Sequence, residues 1–531
     1  MEKNCLKSKV WISGLALLVA MPILVVAVSW LFPERELWAH FSTILLPNLI
    51  SATVVLLIGV GVGVTFLGTI LAYLVVMVEF PGRQWLEWAL FLPFAVPAYV
   101  LAFVYLGVFD YSGYVQVWMR EVLGLSGFDI RTGSWAIILT FVLVFYPYVY
   151  MMARASFKRQ KVNIIEAGRL LGTGPLRTFF KISLPLARPA AAAGLLVTMM
   201  EILADFGVVS LFNFDTFTTA IYSAWGDFRS IELAAQLASL LVLVAFFLIY
   251  FEKKARGQAK YYSNDVANKK PYRAFGVMGW LISIFIFSVF MLAFAMPMLQ
   301  LIIWGWTYSG NEWSVKYTDL IISTLILTVS ATLITVGIAT ILALPNHCKK
   351  NSSWLKGVIN IATLGYALPG SIMAVGLLYG INQVSAVSIY FGGQSINQVI
   401  FGSITLLLFA YISRFMAIGY NSIKANAEQI KPMFTQSARL LGVSRLRLIW
   451  QIYLPMMTPG ILAGSLLVAV DVMKELPATY LLRPFGWDTL AIQVYELSAE
   501  GLFERAAIPA LIMVLFGSVL MIIFQYLDKK F

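Results

Sequence analysis

Apolar runs long enough to cross a bilayer recur along this chain, separated by short polar intervals. Six fall at about 11–32, 49–78, 88–109, 134–153, 190–212 and 231–251, and six more at about 275–304, 318–345, 358–380, 399–421, 460–482 and 506–527. Lipid offers no partner to an unpaired N–H or C=O, so runs of this length are helices. The pattern predicts an all-α, polytopic membrane protein of about twelve transmembrane helices. The run at 11–32 follows Lys3, Lys7 and Lys9, as a signal sequence would. It is too long for a signal's apolar core and lacks a small-x-small cleavage site before Pro33, so it reads as the first span.

Composition supports the pattern: the 531 residues are 60% hydrophobic and only 12% charged, with a mean hydropathy of +0.83. Two cysteines, Cys5 and Cys348, and two histidines, His40 and His347, exclude a disulfide scaffold and make a zinc centre a poor expectation. A net charge of +12 is compatible with nucleic acid, but in a membrane protein the excess belongs to cytoplasmic loops. Counting favours the second reading, with no nucleic-acid partner. With the amino terminus inside, 30 of the 38 Lys and Arg residues, Arg414 among them, fall on the inner side, seven fall outside, and Lys474 lies within a span. Both termini are therefore expected in the cytoplasm. The segment 252–274 is polar and basic, and reads as a solvated cytoplasmic linker, with anionic membrane lipid as the partner it could otherwise bind. It divides a first domain, 1–251, from a second, 275–531.

The two halves repeat. EAGRLLGTGPLRTFFKISLPLARPA, from Glu166 to Ala190, resembles QSARLLGVSRLRLIWQIYLPMMTPG, from Gln436 to Gly460, at a constant offset of 270. Earlier in each half, FAVPAYVLAF around Pro97 resembles YALPGSIMAV around Pro369. An even number of spans per half makes the repeats parallel, with a pathway expected between them. Gly172 and Gly442 suit the left-handed residue that ends a helix, and Ser444 suits the N-cap of the next. Pro185 and Pro455 are expected to break the chain before it re-enters the membrane.

The pattern E-A-G-x3-G-x9-I-x-L-P, from Glu166 to Pro185, resembles the EAA loop of permeases from binding-protein-dependent ABC importers. The resemblance implies that segments 158–189 and 424–459 carry coupling helices that dock on an ATP-binding cassette subunit. The matching positions are Glu166, Ala167, Gly168 and Gly172, and Gln436, Ser437, Ala438 and Gly442. Gln436 and Ser437 stand where Glu and Ala are usual. The resemblance further implies two copies of the ATPase, an extracytoplasmic substrate-binding protein, and a bacterial inner-membrane location. No cofactor is expected on this chain, since ATP is hydrolysed by the partner.

Ionisable residues inside spans are costly and mark function by default. Glu201 and Asp205 lie four apart in the fifth span, and Asp471 and Glu475 four apart in the eleventh, at the same offset of 270. Lys474 is a natural counter-ion. Such carboxylates suit a cation pathway; sulfate or phosphate would call for Arg, Lys or helix amino termini. The strings LADFGVVSLFNFDTFTTAIY, Leu203 to Tyr222, and KELPATYLLRPFGWDTLAIQVY, Lys474 to Tyr495, resemble those of ferric-iron permeases, whose relatives include fused thiamine permeases. Ferric iron is the expected cargo and thiamine or another small cation the alternative, with no metal ligand set assigned. An enzyme is disfavoured, since GxxxxGK[ST], HExxH and GxSxG are all absent. A secondary transporter would not need two matched cytoplasmic segments.

Overall fold

The computed structural model describes residues 2–31, 33–124, 126–160, 174–256, 272–273, 276–308, 315–344, 353–363, 365, 368–392, 394–395, 402–430 and 432–530. These residues form a helical bundle. Eleven helices are long and apolar enough to cross a membrane, and a bent pair, Arg83–Ala95 with Ala98–Val108, brings the number to twelve. In each half, the second, fourth and fifth spans pack together. In the first half these are Arg35–Met77, Trp135–Arg159 and Phe179–Ala204; in the second, Tyr317–Ala343, Ile404–Ala427 and Leu446–Met473.

The third span of each half departs from a simple crossing. The run at 88–109 is broken by a bend of 93° before Ala98. The run at 358–380 divides into Ser353–Ala362 and Gly370–Tyr390. Pro97 and Pro369 sit at the matching breaks in extended conformation, with ψ of 142° and 145°. Proline cannot donate to the preceding turn, so each starts a new helix instead of continuing the old one.

Pro185 and Pro455 behave differently from expectation. The chain stays helical through both, from Phe179 to Ala204 and from Leu446 to Met473. In each case a five-residue π turn, Phe179–Ser183 or Ile449–Tyr453, stands immediately before the Leu-Pro pair. The Leu184 and Leu454 N–H groups reach back five residues, to Phe179 and Ile449. Phe41–Leu45 before Pro47 and Met291–Ala295 before Pro297 repeat the device. Widening the turn takes up the missing N–H and moves the carbonyl that the ring would strike.

The first span of each half crosses to the other half. Glu2–Val28 lies against Ser353–Ala362 and Gly370–Tyr390, with Gly376 against the Pro22 carbonyl. Reciprocally, Ser283 Oγ donates to Pro81 O at 2.7 Å, and Tyr105 Oη donates to Leu292 O at 2.7 Å. The linker's far end, Tyr272–Arg273, pairs in parallel with Val78–Glu79.

Apolar burial gives helices little reason to associate in lipid, so close backbone approach at small residues carries the packing. A Cβ on Gly194 would stand 2.7 Å from Val149 Cα and 2.8 Å from Tyr148 O. Gly194→Val is therefore expected to wedge the fourth and fifth spans apart, at a cost of about 1–3 kcal/mol. Membrane abundance of a tagged permease should fall while Gly226→Val, at a position with nothing within 4 Å, leaves it unchanged.

Candidate functional site

The helices Leu184–Ala204 and Leu454–Met473 run from the repeated segments towards the opposite face, and the intramembrane acids lie at their far ends. Glu201 and Asp471 are within these helices. Asp205 and Glu475 are not, which corrects the expectation of four-apart pairs on one helix face. Asp205 takes an extended backbone, with ψ of 131°, and Glu475 follows the terminal Lys474. Each chain then turns into a short helix, Gly207–Leu211 or Pro477–Leu482. Helix starts leave N–H groups without partners, and the two acids supply them. Asp205 Oδ1 accepts from Val208 N–H at 2.7 Å. Glu475 Oε1 accepts from Ala478 N–H at 3.0 Å, and Oε2 from Thr479 N–H at 3.0 Å and from Thr479 Oγ1 at 2.8 Å.

A cavity at the seam between the halves gathers all five candidate pathway residues, Glu201, Asp205, Asp471, Lys474 and Glu475, with Phe94, Tyr99, Tyr148 and Arg414. Tyr148 Oη donates to Glu201 Oε1 at 3.4 Å. Lys474 Nζ pairs with Asp471 at 2.8 Å and lies 4.8 Å from the Phe94 ring centre. Arg414 pairs with Glu475, whose side chain is wholly buried. Gly370 packs against both partners, where a Cβ would collide with them. Arg414 therefore belongs to the site, not to the inner-side charge with which the sequence count grouped it. Its signal was available: a lone arginine in the apolar run Ile404–Ala427 marks function by default.

The site is not symmetric. The offset of 270 carries Arg414 onto Val144 and Lys474 onto Ala204, and both of these also line the cavity. Each half thus gives two carboxylates, while the second alone gives both cations. Beyond the cavity, on the side away from the repeated segments, Phe206 and Tyr222 of one half stack at 3.7 Å. Tyr480 and Tyr495 of the other join them, with ring centres 5.3–6.0 Å from Phe206 or Tyr222. Tyr222 Oη donates to Pro477 O, and Ser210 Oγ and Tyr495 Oη share a hydrogen bond of 2.8 Å. Of these rings, Phe206 lines the cavity itself.

Of the repeated segments, Glu166, Ala167, Gly168 and Gly172 lie outside the described residues. In the second copy Gln436 and Ser437 are exposed and Ala438 is buried, on the helix Pro432–Leu440. Gly442 has φ +75° and ends that helix: the Val443 N–H returns to Ala438 O at 3.0 Å. Ser444 starts the next turn, its Oγ accepting from Arg447 N–H at 3.4 Å. Leu440, Leu441, Leu446 and Trp450 are 69–90% exposed around this corner.

The sequence matches the family described as binding-protein-dependent transport system inner membrane component twice, over residues 64–254 and 335–531. It is 26% identical over 522 residues to an Fe(3+)-transport system permease protein of Haemophilus influenzae, covering 96% of each chain. A putative ferric transport system permease of the same organism is 24% identical over 76% of this chain and 65% of its own length. A sulfate transport system permease of Escherichia coli is 27% identical over 45% of this chain and 86% of its own. Among solved structures, a bacterial alginate ABC transporter in complex with an alginate-bound periplasmic protein aligns with a TM-score of 0.39 at 18% identity, over 47% of this chain and 94% of that one. The chain belongs to the binding-protein-dependent transport system inner membrane components: it is a multi-pass ABC importer permease with two such domains in one polypeptide, and is not itself the catalytic subunit.

Proposed function

We propose that this permease imports ferric iron, with the seam cavity on its path and Glu201 and Asp471 facing the cargo. The observation that carries this reading is the charge of the lining. Four carboxylates stand against two cations, and each cation is already paired with a carboxylate. An anion such as sulfate needs cations or free helix N–H groups directed at it. Here the N–H groups of the short helices are taken by Asp205 and Glu475. This lining suits the cargo named for the ferric relatives better than the cargo named for the sulfate relative. Oxygen ligands suit a hard cation.

The repeated segments are assigned to docking on two ATP-binding subunits, where ATP is hydrolysed. Support comes from the apolar corner at Leu440, Leu441, Leu446 and Trp450, a surface that water disfavours. A cytoplasmic position for this face and for both termini is supported by the excess of Lys and Arg on that side. Domain limits of 1–251 and 275–531 follow from the linker and the repeat.

Glu201→Gln with Asp471→Asn is expected to lower iron uptake per permease molecule at least tenfold in cells given labelled iron. Membrane abundance should hold or rise when Lys474→Met accompanies them, because neutral side chains are cheaper in lipid than charged ones and no cation is then left unpaired. Adding Lys474→Met separates the pathway role of Asp471 from its pairing with Lys474. Unchanged uptake per molecule would remove the carboxylates from the path. Uptake of labelled thiamine without iron would reassign the cargo and leave the permease architecture standing.

A further inference from the structure

The short helix Pro477–Leu482 leads into a turn that the first half does not reproduce. Between Asp205 and Asp215 there are three residues fewer than between Glu475 and Asp488, although both acids open the same Asp-Thr pair. In the shorter turn Phe212 is buried and Phe214 half-buried. In the longer one Phe485 projects fully into the surroundings, at 105% relative exposure. The turn is nevertheless held at its base and across its tip. Trp487 N–H bonds to Pro484 O at 3.1 Å across Phe485 and Gly486, and Gly486 has the φ of +79° that such a turn requires. Its base is clamped by Arg483, which pairs with Asp488 at 2.9 Å and Glu496 at 2.7 Å and lies 5.6 Å from the Tyr480 ring centre.

Leaving a phenylalanine uncovered forgoes about 1.5–3 kcal/mol of burial, and a turn held this firmly has little entropy left to lose on contact. Rigid aromatic projections of this kind are the usual anchors of protein interfaces. Two features argue against lipid as the cover. Arg483, Asp488 and Glu496 surround the base of the turn, and charge at a lipid-facing position is costly. The turn also rises from the seam, beside Tyr480 and Tyr495, which meet Phe206 of the other half. The helix Leu454–Met473 spans about 30 Å from the repeated segment to this point, so the turn emerges on the face opposite the ATPase. A protein partner expected over the seam on that face is the binding protein on which this family depends. We propose that the Arg483–Asp488 turn is a docking finger for that binding protein, with Phe485 as its anchor. The proposal rests on the family's binding-protein dependence and not on the ferric reading.

The test places a photoreactive phenylalanine analogue at 485 in the full-length permease, assembled with its ATPase in native cells. Irradiation is expected to yield an adduct with a soluble extracytoplasmic substrate-binding protein, mapped to a single face of it. The same analogue at Phe391, exposed elsewhere, should give no such adduct. A lipid adduct at 485, or none, overturns the proposal. The captured protein is then purified and titrated against the permease–ATPase complex in nanodiscs. Phe485→Ala should raise its apparent Kd at least tenfold, Phe485→Trp should restore most of the affinity, and basal ATPase activity should not change. Equal affinity of Phe485→Ala and the parent complex also overturns it.

Discussion

Replacing Arg414 with methionine is expected to remove most of the permease from the membrane. Its partner Glu475 has a side chain with no exposure at all, and the guanidinium is the cation paired with it. Removing one member of a buried pair leaves the other charged and unpaired, at a cost of about 3–5 kcal/mol. That is a large part of the stability of an ordinary fold. Adding Glu475→Gln should recover most of the loss. The amide oxygen can still accept from Ala478 N–H at the start of Pro477–Leu482, and no charge remains to be compensated. Membrane abundance and fluorescence-detected size exclusion after detergent extraction measure both variants. Equal abundance of the single and double variants would show that the pair is not a stabilising unit.

Gly442→Val should have the opposite profile, with transport lost and the protein retained. At φ +75° a β-branched residue is strained by about 1–3 kcal/mol. No atom lies within 4 Å of the added Cβ, so the penalty is conformational and not a clash. The helix Pro432–Leu440 would tend to run on, losing the Val443-to-Ala438 hydrogen bond and turning the exposed corner away. Uptake is expected to fall more than tenfold with abundance within a factor of about two, because the spanning helices are untouched. Gly442→Asn, which tolerates the left-handed conformation, should recover much of the uptake. Wild-type uptake by the valine variant would sink the docking assignment for this corner.

Twelve crossings were legible because hydrocarbon forces a single solution on a long apolar run, and the offset of 270 exposed both the repeat and the matched acids. The conformation at Gly442 was legible too, since a left-handed helix end selects glycine. What escaped were features fixed by partners distant in sequence. Arg414 meets Glu475 across 61 positions, and nothing local to either announces the pair. Asp205 and Glu475 were placed on helices because four-residue spacing suits a helix face. The same spacing holds where the helix ends between the two residues and the second acid caps the next one. Leu-Pro at 184–185 and 454–455 was read as a break, yet a π turn ahead of each proline keeps the helix intact.

The crossing of Glu2–Val28 to the other half sets a schedule for synthesis. The helix emerges first, but Ser353–Ala362 and Gly370–Tyr390 follow roughly 350 residues later. At translation rates of about 5–20 residues per second, the wait is about 20–70 s. Acyl chains must stand in for protein throughout that interval. The waiting face is suited to them: Ala16, Val19, Ala20 and Val26, all at most 1% exposed in the finished bundle, carry no polar group in need of a distant partner. The buried hydroxyl of Ser29, which follows them, bonds back to Val26 O at 2.8 Å and so is satisfied before any neighbour arrives. The opening helix is thus equipped for two successive solvents, lipid during translation and its own chain afterwards.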